Sequence, residues 1–116
     1  MEKRKKMYDR KPIGDAGEDF AVKILTMQGC KILERKYRCK MGEIDIIAEK
    51  CDELIFVEVK TRQSAKFGMP AESVTPEKQR HIRNAATCYL KSHKRNDSFI
   101  SFQVIEILFN QIKNAF

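Results

Sequence analysis

The chain has 116 residues, of which 42% are hydrophobic and 34% are charged, and its formal net charge is +7. This length suits one domain with a single core, and the composition is typical of a soluble globular protein. No apolar run reaches the roughly 18 residues that a membrane-spanning helix needs, and the charged N-terminus lacks the apolar stretch of a secretory signal. We therefore expect a cytoplasmic protein with no membrane partner.

The excess positive charge is concentrated at the N-terminus. Residues 1–13 hold six basic and two acidic side chains, so they contribute +4 of the net +7. We predict a basic flexible arm over residues 1–13 and a single domain over residues 14–116. Such an arm binds a nucleic-acid backbone without reading its sequence, although a solubilising tail has the same composition.

The first predicted element is a helix over residues 15–28, which is followed by a strand over residues 31–38. Asp15 and Glu18 form a capping-box pattern at the start of the helix, and Gly29 supplies a stop after its end. The four cysteines are scattered without a C-x-x-C pair, so we expect reduced thiols and neither a zinc site nor a disulfide framework.

Two further strands form a hairpin that carries the most informative residues of the chain. A turn at residues 50–53 sets three opposed pairs, which are Ile47 with Phe56, Asp45 with Glu58, and Glu43 with Lys60. Because side chains alternate along a strand, all six are expected on one face of the hairpin. Carboxylates opposed at Asp45 and Glu58 would lie about 4.5–5.5 Å apart at their Cβ atoms, which is destabilising without a cation between them.

Two interpretations of this pattern stay open. Charged residues at alternating positions are typical of the solvated face of a sheet. The opposite face is apolar, however, and the polar face itself becomes apolar at Ile47 and Phe56, as in a central hairpin covered on both sides. The second interpretation is therefore a pocket in which Asp45, Glu58 and Lys60 hold a divalent metal and a water molecule beside a phosphodiester.

The rest of the chain completes the fold. We predict a loop over residues 61–74, a second helix that Thr75 caps with Pro76 at its first position, and a last strand over residues 99–109. The element order is then α-β-β-β-α-β. A mixed central β-sheet flanked by helices, which is an α/β fold, is the natural solution for this order.

These features resemble a known group of proteins. The element order and the spaced motif Asp45…Glu58-Val59-Lys60 resemble the restriction-endonuclease-like superfamily of nucleases. More closely, the chain resembles the YraN-like family of small bacterial proteins, which is compared with archaeal-type Holliday junction resolvases. The matching segments are Gly17-Glu18, Gly29, Tyr37-Arg38, Gly42-Glu43-Ile44-Asp45, Phe56-Val57-Glu58-Val59-Lys60, Arg62 and Phe67-Gly68.

The resemblance implies a restriction-endonuclease-like fold and a metal-dependent nuclease that hydrolyses phosphodiester bonds in DNA. It assigns the binding of Mg²⁺ (or Mn²⁺) to Asp45, Glu58, the backbone carbonyl of Val59, and Glu18. It assigns to Lys60 the orientation or activation of the attacking water. Carboxylate and carbonyl oxygens are the hard ligands that magnesium prefers.

Simpler roles stay open for two of these residues. Glu18 could be no more than the capping-box partner of Asp15, and Lys60 could form a salt bridge with Glu43 across the hairpin. The chain also departs from the family pattern at two positions. Lys36 stands where the family often has Asn, and Gln103 stands where it tends to have Asp.

Five basic residues are candidates for nucleic-acid binding, namely Arg38, Arg62, Lys66, Lys78 and Arg80. Arg62 and Lys66 fall in the predicted loop after the third strand. Lys78 and Arg80 lie near the start of the second helix, where free amides and the helix dipole attract phosphate. Ordinary surface charges would have the same distribution.

Two functions are therefore in competition. The first is a magnesium-dependent endonuclease acting on DNA, with branched DNA as a candidate substrate and a homodimer as the expected form, as in the resolvases. The second is a catalytically inactive nucleic-acid-binding module that retains the nuclease fold. The intact motif at Asp45, Glu58 and Lys60 favours the first, and the missing carboxylate at Gln103 favours the second.

Overall fold

The computed structural model describes residues 11–63, 74–95 and 99–116, and within them it shows an α/β fold. The elements are α1 (Lys11–Met27), β1 (Lys31–Cys39), β2 (Gly42–Lys50), β3 (Glu53–Gln63), α2 (Pro76–Ser92) and β4 (Phe99–Phe109). The sheet order is β1-β2-β3-β4, with antiparallel pairing except for the parallel β3–β4 pair. The predicted fold class, a mixed sheet in the order α-β-β-β-α-β, is confirmed.

One helix covers each face of the sheet. The α1 layer contains Ala21, Leu25, Cys30, Ile46, Ala48, Ile55 and Val57. The α2 layer contains Ile44, Ile47, Leu54, Phe56, Ile82, Ala85, Ala86 and Tyr89. The apolar residues of the central hairpin are thus buried on both sides, as its sequence predicted. Among the described residues, no helix is both long and apolar enough to cross a membrane.

Several boundaries match the predictions, and others differ. The Thr75 hydroxyl accepts a 3.1 Å hydrogen bond from the Lys78 N–H, which confirms the cap of α2. Helix α1 begins at Lys11, so Asp15 lies inside the helix and the predicted capping box is wrong. Strand β3 continues to Gln63, so Arg62 belongs to a strand and not to the predicted loop. Residues 1–10 of the predicted arm lie outside the described residues.

The side chains of β2 change faces at Asp45. Ile44 packs in the α2 layer, whereas Ile46, two residues further on, packs in the α1 layer. A regular strand would place both on the same face. The opposite position on β1, between the pairs Tyr37–Ile44 and Arg35–Ile46, is Lys36, whose φ of 53° is left-handed. This local irregularity directs Lys36 and Asp45 towards α1.

Helix α1 packs closely against the sheet at Gly17. A Cβ atom at this position would overlap the Thr61 side chain of β3, whereas one at Gly14 would meet open space. Because no larger residue fits between helix and strand, Gly17 sets the distance of its neighbour Glu18 from the sheet.

Candidate functional site

The candidate site lies where β2 and β3 separate. Ile47 lies opposite Phe56 as predicted, but backbone pairing ends at Ile46–Val57, one pair before the predicted Asp45–Glu58 pair. Beyond that point the Asp45 Oδ2 atom accepts a 2.7 Å hydrogen bond from the Val59 N–H. The carboxyl groups of Asp45 and Glu58 lie close enough to interact electrostatically.

The three motif side chains do not share one face, so this part of the prediction is wrong. Glu58 and Lys60 line a cavity of about 540 Å³ on the α2 side, together with Phe56. Asp45 lines a second cavity of about 520 Å³ on the α1 side, together with Glu18. The change of faces at Asp45 is the cause, because it directs this side chain towards α1.

Burial makes both carboxyls hold protons more tightly than usual. Desolvation raises the pKa of Asp45, and the hydrogen bonds from Val59 and with Glu58 oppose that shift. Desolvation and the negative charge of Asp45 raise the pKa of Glu58, against the opposing effect of the Lys78 ammonium. The Lys78 Nζ atom lies 3.4 Å from Glu58 Oε2. The positive charge near the pair is therefore too small to offset desolvation, so the pKa values of both carboxyls stay above the ordinary ones.

Glu18 is brought close to this pair but is held by two cations. The residue is 5% exposed, which makes it the only buried charged residue among those that the structure describes. Arg35 donates to Glu18 Oε1 from Nε at 3.1 Å and from Nη2 at 2.9 Å. The Lys36 Nζ atom lies 3.2 Å from Glu18 Oε2 and 3.3 Å from Asp15 Oδ1. Glu18 therefore has a structural role in ion pairs that neither sequence interpretation included.

Lys60 and Glu43 do not form the predicted alternative salt bridge. Glu43 pairs with Arg38 of β1 at 2.9 Å. Lys60 forms no ion pair with any residue that the structure describes, and it lies opposite Glu106 in the parallel register with β4. The Lys60 ammonium is therefore available to a ligand in the cavity that it shares with Glu58.

The predicted nucleic-acid contacts differ in their surroundings. Arg38 is engaged by Glu43, Arg62 lies 3.6 Å from Glu106, and Lys78 is engaged by Glu58. Arg80 is exposed on α2 and has no ion pair within the described parts of the chain. Lys66 lies outside the described residues.

The donor set suits a hard divalent cation, although it is not a complete cage. Asp45 and Glu58 supply two neighbouring carboxyls, and the Val59 carbonyl belongs to the residue that separates Glu58 from Lys60. Within residues 11–63, 74–95 and 99–116, no group of three or more His, Cys, Asp or Glu residues is arranged to hold a metal. Magnesium commonly takes only one or two carboxylates and completes its shell with water and substrate phosphate.

Sequence reasoning missed two partners of the site, Arg35 and Lys36. They hold Glu18 from β1, 17 and 18 residues away in the chain, and contacts over this separation leave no local pattern in the sequence. Arg83, on α2, also belongs to the site. Its guanidinium lies 5.1 Å from the centre of the Phe102 ring, in the cavity that also contains Glu58.

Comparisons with known proteins agree on one family. The model of the uncharacterised protein family UPF0102 matches residues 17–107. A UPF0102 protein of Clostridioides difficile is 48% identical over 113 residues, which cover 93% of this chain and 99% of that protein. One of Caldicellulosiruptor saccharolyticus is 41% identical over 117 residues, with 93% and 99% covered. One of Clostridium perfringens is 51% identical over 100 residues, with 86% and 82% covered.

Proposed function

The chain belongs to the protein family UPF0102, and from the geometry of its own site we propose that it is a metal-dependent nuclease that hydrolyses phosphodiester bonds in DNA. The observation that carries the proposal is the proximity of the partly buried carboxyls of Asp45 and Glu58, next to the hydrogen bond that the Val59 N–H donates to Asp45. Like charges this close are unfavourable, and a divalent cation relieves their repulsion. A purely structural pair would more simply be replaced by apolar side chains.

The residues of the chain divide the chemical tasks. Asp45 and Glu58 would hold Mg²⁺ or Mn²⁺ with the Val59 carbonyl, and the hydrogen bond from the Val59 N–H fixes the Asp45 carboxyl in place. Bound there, the ion lowers the pKa of water and neutralises charge on a phosphate. Lys60, which has no ion pair among the described residues, is free to stabilise negative charge on the attacking oxygen or the phosphate.

Two further basic side chains, Lys78 and Arg80, would contact the DNA substrate. Lys78 lies against Glu58 and can transfer its contact to a phosphate of the DNA backbone when the carboxylates bind a metal. Arg80, two residues further along α2, is exposed on the same helix. Branched DNA and a homodimeric form are part of this proposal, as is a location in the cytoplasm.

The test is cleavage of branched, flapped and linear DNA by purified protein in Mg²⁺, in Mn²⁺ and in chelator. Asp45→Asn, Glu58→Gln and Lys60→Met should each reduce cleavage by about 10²-fold or more, because each removes a group that contacts the reacting atoms. Asp52→Asn in the β2–β3 turn and Lys23→Met on α1 change the same charges at exposed positions and should cleave normally. Normal cleavage by Asp45→Asn would refute the proposal.

One observation favours the inactive binding module as a second candidate. Arg35 and Lys36 already neutralise Glu18, so the acidic side chains near Asp45 have cationic partners without a metal. A binding module should hold DNA equally well in chelator and in Mg²⁺. A nuclease should bind a non-cleavable DNA analogue more tightly when the metal is present, and this difference should vanish in Asp45→Asn.

A further inference from the structure

The two outer edges of the sheet are built differently. Strand β1 carries five charged residues among nine, shifts register between Ile32 and Glu34, and has a left-handed backbone at Lys36. Charges and irregular backbone are the usual means by which an edge strand avoids pairing with another chain. The β1 edge is therefore protected.

Strand β4 has none of these features. It runs for 11 residues in unbroken parallel register with β3, and its sequence contains eight apolar residues and a single charge, Glu106. Apolar side chains along it stay exposed, including Phe99 at 73%, Val104 at 51% and Leu108 at 55%. No strand of the described residues pairs with its outer edge. A long, regular, apolar edge of this kind is a template for a further strand.

We propose that this edge binds a second copy of the chain, with the two β4 strands antiparallel around a two-fold axis at Val104. Val104 is the midpoint of Phe99–Phe109, so this register pairs the whole strand with itself. It places Phe99 opposite the partner's Phe109 and Ile100 opposite the partner's Leu108. An isologous contact of this type closes on itself and creates one eight-stranded sheet.

The distribution of charge selects a second copy and this register. Glu106 would lie opposite the partner's Phe102, so no like charges meet across the axis. A register centred on Glu106 would instead oppose two carboxylates. Glu106 is also 3.6 Å from Arg62 of its own chain, which reduces its charge. Because Glu106 is the single charge of β4, a strand rich in charged residues would find almost no complementary charge along this edge.

The pairing has a consequence that rests on the proposed function. Glu58 lies beside Val104 in the β3–β4 register, so both candidate sites fall in one row across the joined sheet. Three strand spacings of about 4.8 Å separate the two Glu58 positions, which gives about 14 Å. Because the two-fold axis is perpendicular to the sheet, both α2-side cavities open on the same side. Two phosphates in opposite strands of one DNA molecule could then be engaged together.

The test is the mass of the full chain in solution by sedimentation and light scattering. The wild type should have twice the mass of one chain. Ile100→Lys and Leu108→Glu should each raise the dissociation constant of the dimer about tenfold or more, because each places a charge against an apolar side chain. The double variant should recover the dimer, because the two new charges are opposite in sign and face each other across the axis. Met27→Lys, at an exposed position on α1, is the matched control and should stay dimeric.

Each alternative result is informative. A monomeric wild type at the highest soluble concentration would overturn the proposal, as would a dimer that both single variants leave intact. Dissociation in the single variants without recovery in the double variant would overturn the register. Circular dichroism of each variant shows whether it is folded. Since the measurement needs neither metal nor DNA, its failure is separate from a failure of the proposed nuclease activity.

Discussion

The backbone N–H of Val59 donates a 2.7 Å hydrogen bond to the Asp45 carboxylate, just beyond the last backbone pair of β2 and β3. The Asp45 carboxylate therefore accepts the hydrogen bond that a backbone carbonyl would accept from Val59 in a longer hairpin. The charge of the same carboxyl also raises the pKa of Glu58. Asp45 thus has a structural task, which an amide side chain can perform, and an electrostatic task, which needs the charge. Its variants can separate the two.

Asp45→Asn should stabilise the metal-free protein at neutral pH and abolish metal binding. Burial raises the pKa of both Asp45 and Glu58 in the fold, so the folded state holds protons that the unfolded chain has released. Their contribution to stability is therefore greatest below the ordinary carboxyl pKa values and falls as the pH rises through the raised ones. In the variant, stability should decrease much less as the pH rises. Its unfolding temperature at neutral pH should therefore be a few degrees higher than that of the wild type.

Thermal unfolding in chelator across this pH range measures the effect. Asp52→Asn, in the exposed turn, should retain the pH dependence of the wild type. A curve for Asp45→Asn that parallels the wild type would show that the Asp45–Glu58 contact carries no electrostatic cost.

Lys36→Asn should tighten the binding of Mn²⁺ by about threefold or more, because it removes a positive charge from the α1-side cavity that Asp45 lines. It also frees one oxygen of Glu18 from its 3.2 Å contact. Asn tolerates the left-handed backbone of this position better than Lys, so the fold should persist. Calorimetric titration measures the affinity, with Lys31→Asn on the same strand as control. Unchanged affinity in Lys36→Asn would exclude Lys36 from the electrostatics of the site.

Gly17→Ala should lower the free energy of unfolding by about 1–3 kcal/mol, because the new Cβ overlaps Thr61 and forces α1 away from β3. Gly14→Ala, one turn earlier in the same helix, meets no atom and should be neutral or stabilising by up to about 1 kcal/mol. Urea unfolding of the two variants makes the comparison. Equal stabilities would mean that helix and sheet adjust freely at this contact.

Lys78→Met should move the acid limit of metal binding to higher pH, because the Lys78 ammonium opposes the rise in the pKa of Glu58. Arg80→Met removes the same charge from the same helix without a contact to Glu58 among the described residues, and it should leave that limit in place. Both should reduce the salt dependence of DNA binding if each contacts a phosphate. Metal titrations at several pH values distinguish the two variants, and identical profiles would argue against the Lys78–Glu58 interaction.

Local sequence signals were sufficient for much of the fold. The turn at residues 50–53 fixed the Ile47–Phe56 register, and Thr75 with Pro76 marked the start of α2, because both depend on neighbours in the chain. The predicted start of α1 was wrong because Asp15, which resembles a cap in the sequence, lies inside the helix. Its side chain there accepts a hydrogen bond from Lys36, which lies 21 residues away. Long-range ion pairs of this kind leave no periodic pattern.

In the candidate site, too, local features were predictable from the sequence and long-range ones were not. The types and spacing of Asp45, Glu58 and Lys60 were apparent from the sequence, and the structure brings the first two close enough to interact electrostatically. Their division between two cavities was not apparent. It depends on a left-handed backbone at Lys36, and lysine gives no local indication of that conformation.

The change of faces at Asp45 also bears on how the molecule holds together. Strand β2 contributes Ile44 to the α2 layer and Ile46 to the α1 layer. Asp45, the residue between them, therefore lies on the short backbone segment that connects the two layers. Neither helix can detach without disturbing the backbone next to Asp45. The two layers should therefore open as one cooperative unit, and a ligand that secures Asp45 should slow amide hydrogen exchange in α1 and α2 together.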